Sequence, residues 1–392
     1  MNTNLRKEIG GCFGYFYDNF NRSKQSFGLM HDKYPDGRNI CSVAANGFML
    51  AAMAVGADLG IISRSHAKTI CDKTLTTLLR LDSDRGFFYH FYHIESKKRA
   101  YRCELSLIDT ALLVAGALTA AGFFGGKVKQ KAMRLYRRID WQYFYDASKK
   151  QFYMARYDNG FTGHWDYYAE QLLVYFLAAG ADWGNAEEAY YSFGRLTSEF
   201  GGKPYVYGWF GSLFVHQFSH AFVDLRDKTD KNGTDWFQNS VIASLANYEF
   251  CRNEGVHKGY SDVSWGLTSC ATQGGYTGHI GVPPSGNGNV EHIAEGTVAP
   301  AGAIGSIVFT PKQSLAALDY YYTLPRLVGD YGLKDSFNLD NDWYCDHYIS
   351  IDKGISLVMM ANHVNQTVWK ATNNVAELRS AFAKLGFSQK GE

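Results

Sequence analysis

Apolar residues recur at helical spacing along most of this chain. The first run, Leu5 to Phe20, carries Ile9, Phe13, Phe16, Tyr17 and Phe20 and predicts a helix with one buried face. Ser42 is placed to cap Val43–Leu59, a stretch rich in Ala and Met that ends at Gly60, and Ser65–Leu81 follows as its partner. Leu105–Phe124 is apolar almost throughout and closes at Gly125 and Gly126, ahead of the basic helix Val128–Ile139. The alternation continues with Tyr168–Ala179 and Ala186–Glu199, Ser212–Leu225 and Asp235–Arg252, and Ala299–Ile307 and Ser314–Val328. An apolar helix bearing Ala and Gly, a glycine-bearing turn and a more polar helix form the unit. Alternating inner and outer helices of this kind predict an all-α fold, an (α/α)6 toroid of six hairpins. No motif recurs at a fixed period, so a solenoid is the weaker expectation. Arg85–Phe91 and Gln151–Tyr157 alternate like short strands of β-hairpins on the rim.

A length of 392 residues exceeds the usual single domain, but a toroid accounts for it. No low-complexity linker, proline-rich spacer or long charge run divides the chain, so one domain over 1–392 is predicted. Two long segments, Gly274–Thr297 and Asp335–Gly354, read as rim loops, and loops of that length are commonly functional.

A formal net charge of +1, from 39 basic and 38 acidic residues, removes the electrostatic case for nucleic acid or an anionic membrane. Aromatic residues reach 16%, led by 27 Tyr and 26 Phe, which suits a wet polar ligand such as a sugar. Seven cysteines without paired spacing predict buried thiols, neither a disulfide framework nor a metal knuckle. The start MNTNLRKEIGG lacks a hydrophobic signal core, and no window reads as a membrane span. A soluble monomer in a reducing compartment is the expectation, although a chain trimmed of its leader would read the same.

The densest chemistry lies in Phe161–Phe176, where Trp165, Asp166, Tyr167, Tyr168 and Glu170 crowd together before an apolar run. Aromatic rings stack on pyranose faces, and a desolvated carboxyl holds its proton nearer neutrality, as a glycosidic general acid must. Equally, Glu170 could sit in a first helical turn capped by Asp166. Glu104 reads either as a dipole partner of the next helix or as a rim acid, and Asp109 as a buried hydrogen-bonding residue. His216, His220 and Asp224 recur every fourth residue, with Arg226 beyond. That stripe could bind sugar, build a core network or hold zinc, but Gln217 stands where the zinc-protease glutamate would be, so no metal is expected. Neither a nucleophile elbow nor a phosphate or dinucleotide loop occurs, so no cofactor is expected.

The motifs then form an ordered series: ANGFMLAAMAVGADLGII (Ala45 to Ile62), GFFYHF (Gly86 to Phe91), ELSLIDTALLVAGAL (Glu104 to Leu118) and IDW (Ile139 to Trp141). WDYYAEQLLVYFLA (Trp165 to Ala178), LFVHQFSHAFVDLRD (Leu213 to Asp227), WGLTSC (Trp265 to Cys270) and EGTVAPAGAIGSIVFTP (Glu295 to Pro311) continue it. YGLKDSFN (Tyr331 to Asn338) and IDKGISLVMMAN (Ile351 to Asn362) complete it. Together they resemble the bacterial glycoamylase-like family, and within it the endo-β-1,2-glucanases of glycoside hydrolase family 144 and close relatives.

The resemblance implies an (α/α)6 toroid that hydrolyses β-1,2-glucan with inversion. It implies Glu170 as general acid, Glu104 as a second important acid and Asp352 as base, with Asp342 and Asp346 as rivals. Expected sugar contacts are Trp165, Tyr167, Tyr168, Trp209, His216, His220, Arg226, Tyr276 and Trp343. The partner expected is a β-glucan oligo- or polysaccharide. Two other readings stand beside this one, an exo-acting sophorose-releasing hydrolase or transglycosylase and a non-catalytic glycan-binding protein.

Overall fold

A computed structural model describes residues 2–35 and 38–391. About 44% of the chain is helical, with small sheets attached. In chain order the helices are α1 (Thr3–Asp18), α2 (Val43–Asp58), α3 (Arg64–Leu78), α4 (Leu107–Phe124), α5 (Gly126–Arg137), α6 (Leu172–Gly180) and α7 (Ala186–Tyr190). Then follow α8 (Phe218–Phe222), α9 (Trp236–Glu254), α10 (Pro300–Gly305), α11 (Pro311–Tyr321), α12 (Ser350–Asn365), α13 (Thr367–Asn373) and α14 (Ala376–Lys384).

The apolar helices are buried on every side, as a helix without a polar face must be. All nine residues of α6 are buried, and so is nearly all of α2 and α4. By length and composition α4 could cross a membrane, yet most of it is enclosed by the rest of the fold. These helices touch in sequence: α2 packs on α4, α4 on α6, α6 on α8, α10 on α12, and α12 on α2, while the 3-10 turn Leu213–His216 before α8 reaches α10. The more polar α3, α5, α7 and α11 pack outside them, and α13 lies against α2, α4, α8 and α12. Contact between α2 and α4 depends on two glycines. A Cβ on Gly116 would lie 1.8 Å from the Gly47 carbonyl oxygen, and one on Gly47 would lie 2.2 Å from that of Leu112.

One regularity fixes where chemistry can occur. The buried helices α2, α4 and α12 begin directly where a short strand ends, at Ile40–Ser42, Leu105–Ser106 and Tyr348–Ile349, and α10 begins two residues after Thr297–Val298. Strand Leu105–Ser106 belongs to a rim sheet in which it lies between Phe88–Tyr89 and Gln151–Tyr157, and Gly160–His164 also pairs with Gln151–Tyr157. The helix starts and this sheet therefore share one end of the fold.

Several boundaries differ from the sequence reading. Helix α6 starts only at Leu172, so Glu170 precedes it in a turn, and Asp166 is exposed and caps nothing. The stripe Ser212–Leu225 breaks into Leu213–His216 and α8, leaving Asp224 beyond the helix and off the histidine face. Ala186–Glu199 is helical only to Tyr190 before Thr197–Phe200 turns extended. Asp335–Gly354 is no continuous loop: Phe337–Asn338 pairs with Trp343–Tyr344, and α12 starts at Ser350, which puts Asp352 in a helical first turn. The seven cysteines are free and buried.

Candidate active site

Glu170 stands in the turn before α6, in a cavity of about 380 Å³ walled by Trp165, Tyr167, Trp209, Phe210 and Phe214. The turn is pinned from both sides. Ser219 on α8 donates its hydroxyl to the Glu170 carbonyl at 2.6 Å and accepts the Leu173 N–H at 3.0 Å. Gln171, wholly buried, accepts from the Ala169 N–H at 2.7 Å and donates to the Tyr167 carbonyl at 2.8 Å. Tyr167 and Trp209 lie with ring centroids 4.9 Å apart, a tilted pair beside the acid. Burial raises the Glu170 carboxyl from 4.5 to about 7, assisted by the charge of Asp109, while a backbone hydrogen bond acts the other way. Part of its surface stays open to the cavity, so the protonated carboxyl can reach a ligand.

Across from it lies an ion-paired group. His90, just after strand Phe88–Tyr89, places Nδ1 2.8 Å from Glu104 Oε1 and Nε2 3.7 Å from Asp109 Oδ1. Asp109 sits in the first turn of α4, where the Ser106 hydroxyl donates to its Oδ2 at 2.5 Å and its own N–H returns to Ser106 Oγ at 3.2 Å. Desolvation would lower the imidazole pKa, but Asp109 and Glu104 outweigh it and hold the ring charged up to about 9. Glu104 is pulled below its ordinary value, because the His90 bond and charge outweigh its desolvation.

A second cavity, of about 580 Å³, is lined by His90, Asp32, Tyr276, Trp343, Asp346 and His347. Behind it Asp352 and Asp335 are buried together, and one oxygen of each lacks a conventional donor. Desolvation first, and for Asp352 the neighbouring Asp335 carboxylate, push both acids up. The Ala271 N–H fixes Asp335 at 2.8 Å. Tyr276 is 55% exposed, yet its phenol is pushed well up by desolvation and by the charges of Asp352 and Asp335. Its ring thus faces the cavity while its hydroxyl lies within the field of the acid pair.

The structure thus gathers Trp165, Tyr167, Trp209 and Glu170 in one cavity and Tyr276 and Trp343 in the other, with Glu104 bound to His90 of the second. Asp346 also borders the second cavity and Tyr168 the first, while His216, His220, Arg226 and Asp342 line neither. Tyr168 is almost wholly buried, stacks on Trp236 at 4.6 Å and contributes to the wall of the Glu170 cavity. His216 and His220 are core residues, 3% and 0% exposed, with burial lowering them to about 3 and about 4. His220 Nε2 meets Ser240 Oγ at 3.0 Å. Arg226 is held by both Asp224 oxygens, at 2.8 and 2.7 Å, and covers Trp369, far along the chain from the acids. Asp342 is exposed and paired with Arg326 at 2.7 Å, and Asp346 is exposed beside His347. Helical spacing could not say that the segment breaks between the two histidines or that both rings are buried.

Sequence reasoning passed over His90 and Asp335, although GFFYHF and YGLKDSFN contain them. Their importance comes from pairing across elements, which a single motif does not reveal. Among the described residues, His90–Glu104–Asp109 and Cys345–Asp346–His347 could each offer three metal ligands. In the first group the two ring nitrogens face different carboxylates, which is an ion-pair geometry.

A family model described as "Putative glucoamylase" matches residues 162–376. The chain is 25% identical over 95% of its length to an exo β-1,2-glucooligosaccharide sophorohydrolase (non-reducing end) from Parabacteroides distasonis, and spans only 56% of that relative. Among solved structures, a putative glucoamylase from Bacteroides caccae superposes with TM-score 0.88 at 23% identity, covering 98% of this chain and 99% of that one. An endo-β-1,2-glucanase from Chitinophaga pinensis, solved with sophorotriose and glucose, superposes with TM-score 0.87 at 24% identity, covering 99% and 98%.

Proposed function

Because this chain belongs to the glycoamylase family, we propose that it is a glycoside hydrolase of β-1,2-linked glucan, with Glu170 as general acid. The observation that carries the reading is a carboxyl raised to about 7 in a cavity walled by Trp165, Tyr167 and Trp209. Such a group is half protonated near neutral pH and can deliver its proton to a glycosidic oxygen, while the rings hold pyranose faces. The closed order of contacts among the apolar helices supports an (α/α)6 toroid, with substrate lying over the end where those helices start.

In this reading the Asp352–Asp335 pair supplies the base. A pair that shares one proton keeps one negative charge, and that charge draws a proton from the attacking water directly or through a relay. Glu170 and the acid pair belong to separate cavities, which favours inversion over the roughly 5 Å approach of a retaining pair. Endo cleavage is the first reading of the mode of action. Exo release of sophorose is the second reading, favoured by the sophorohydrolase relative. A monomer suffices, since every residue invoked lies in one chain.

The test is incubation with β-1,2-glucan, laminarin and starch, following reducing ends, product sizes and the first anomer by NMR. Release from β-1,2-glucan alone, with α-anomer first, is expected. A ladder of sizes marks endo action and accumulation of disaccharide marks exo. No release from β-1,2-glucan overturns the proposal.

A further inference from the structure

We propose that His90 is a positioning residue, a cation clamped between Glu104 and Asp109 that sets the charge Asp109 presents to the Glu170 carboxyl. The inference rests on the hydrolase reading above only for its kinetic test. Its geometric basis is independent of any substrate. The two ring nitrogens face two different acids, at 2.8 and 3.7 Å, from two different elements. The Phe91 ring lies flat on the imidazole, with centroids 3.7 Å apart and planes 16° from parallel, which fixes its tilt and favours a cationic ring. Nδ1 is hydrogen-bonded to Glu104, Nε2 faces Asp109 at ion-pair distance, and 30% of the side chain is open to the second cavity. A ring set between two carboxylates in this way is suited to charge placement.

The surrounding charges say what the clamp does. Glu104, Asp109 and Asp32 face the ring, Arg99 and Tyr157 face Glu104, and Asp109 is the charge acting on Glu170, with Tyr168 also beside it. With His90 charged, the Glu104–His90–Asp109 unit carries one net negative charge. Without it the unit carries two, and Asp109, whose charge acts on Glu170, loses its cationic partner. The wild-type arrangement therefore limits how far Asp109 biases Glu170 towards its protonated form, while Ser106 fixes the Asp109 side chain.

Carbon-13 histidine NMR on the whole protein, with His90 assigned by its loss in His90→Gln, should find this ring protonated from about pH 6 to about pH 8. A ring titrating near the ordinary value of about 6.5 overturns the proposal. In kinetics, His90→Gln should lower kcat about tenfold while leaving KM within about threefold, and move the alkaline limb of kcat/KM up by about half to one pH unit. His90→Lys, which restores a cation, should return the limb towards its wild-type position. A limb unmoved in His90→Gln overturns the clamp, because a merely structural histidine would lower activity without displacing the profile. If the wild type cleaves no β-1,2-glucan while His90 stays charged, the hydrolase reading fails and the clamp stands on the NMR.

Discussion

Replacing Glu170 with glutamine keeps the side chain's shape and removes its proton, so activity and stability should respond in opposite directions. With a pKa of about 7, Glu170 is half protonated at pH 7, and kcat/KM on unactivated glucan should fall about tenfold per pH unit above that. Losing the acid altogether should reduce turnover by about 10²–10⁴-fold. An activated aryl glycoside, whose leaving group needs no proton, should lose much less. The stability effect follows from linkage. The unfolded carboxyl releases its proton near 4.5 and the folded one near 7, so the unfolded state is progressively favoured between those values and the penalty levels off above them. At pH 7 the ceiling is about 3 kcal/mol, and the carboxyl's contact with cavity water should reduce it to about 1–2 kcal/mol. Denaturant unfolding of both proteins at pH 5 and pH 8 reads this directly: the variant should gain on the wild type as pH rises. A variant that keeps more than about a tenth of wild-type turnover on β-1,2-glucan refutes the role as acid. A stability difference that does not change with pH refutes the raised pKa.

Lys353→Met should destabilise the fold by about 3–5 kcal/mol in urea titrations, because it leaves Glu8 charged and unpaired where a 2.6 Å ion pair is now buried; Lys353→Met with Glu8→Leu should recover most of the loss. His216 and His220 stay neutral in the fold to about 3 and about 4, whereas unfolded histidines bind protons below about 6.5. Stability should therefore fall with pH below 6.5, by about 2 kcal/mol for each histidine at pH 5, and His220→Leu should flatten the Tm-against-pH curve. Gly116→Ala should cost about 3 kcal/mol or more in thermal unfolding, since its Cβ would meet backbone at 1.8 Å, which no side-chain rotation relieves. Asp352→Asn should cut turnover about a hundredfold or more with little change in glucan binding by calorimetry; retained turnover would remove the acid pair from the mechanism.

The helices α2, α4 and α6 were legible because a buried helix carries a long apolar run with small residues at close contacts, as Gly47 and Gly116 do. Ser42 caps α2 as its position suggested, its hydroxyl accepting the Ala45 N–H at 3.5 Å. Boundaries were harder. Tyr168–Gln171 continues the apolar pattern of α6 yet forms a turn, because Ser219 and the Gln171 side chain take up backbone groups that a helix would have used. In the site, the aromatic-acidic cluster around Glu170 was visible as a local motif. The histidine stripe left sugar binding, a core network and metal open, and burial of both rings puts them in the core: periodicity identifies a face, and only packing says whether it meets water or core.

What the sequence determined alone is therefore local and periodic: which segments are buried helices, where several of them start, that the chain is near neutral and rich in aromatic rings, and that Glu170 lies among those rings. The tertiary structure decided which charges meet. Glu104 and Asp109 become one unit only because His90 stands between them, and Asp352 is paired only because Asp335, seventeen residues away, is buried against it. A pKa depends on burial and on charges a few ångströms distant, and these distances are set by helix and sheet packing, which a one-dimensional pattern does not contain.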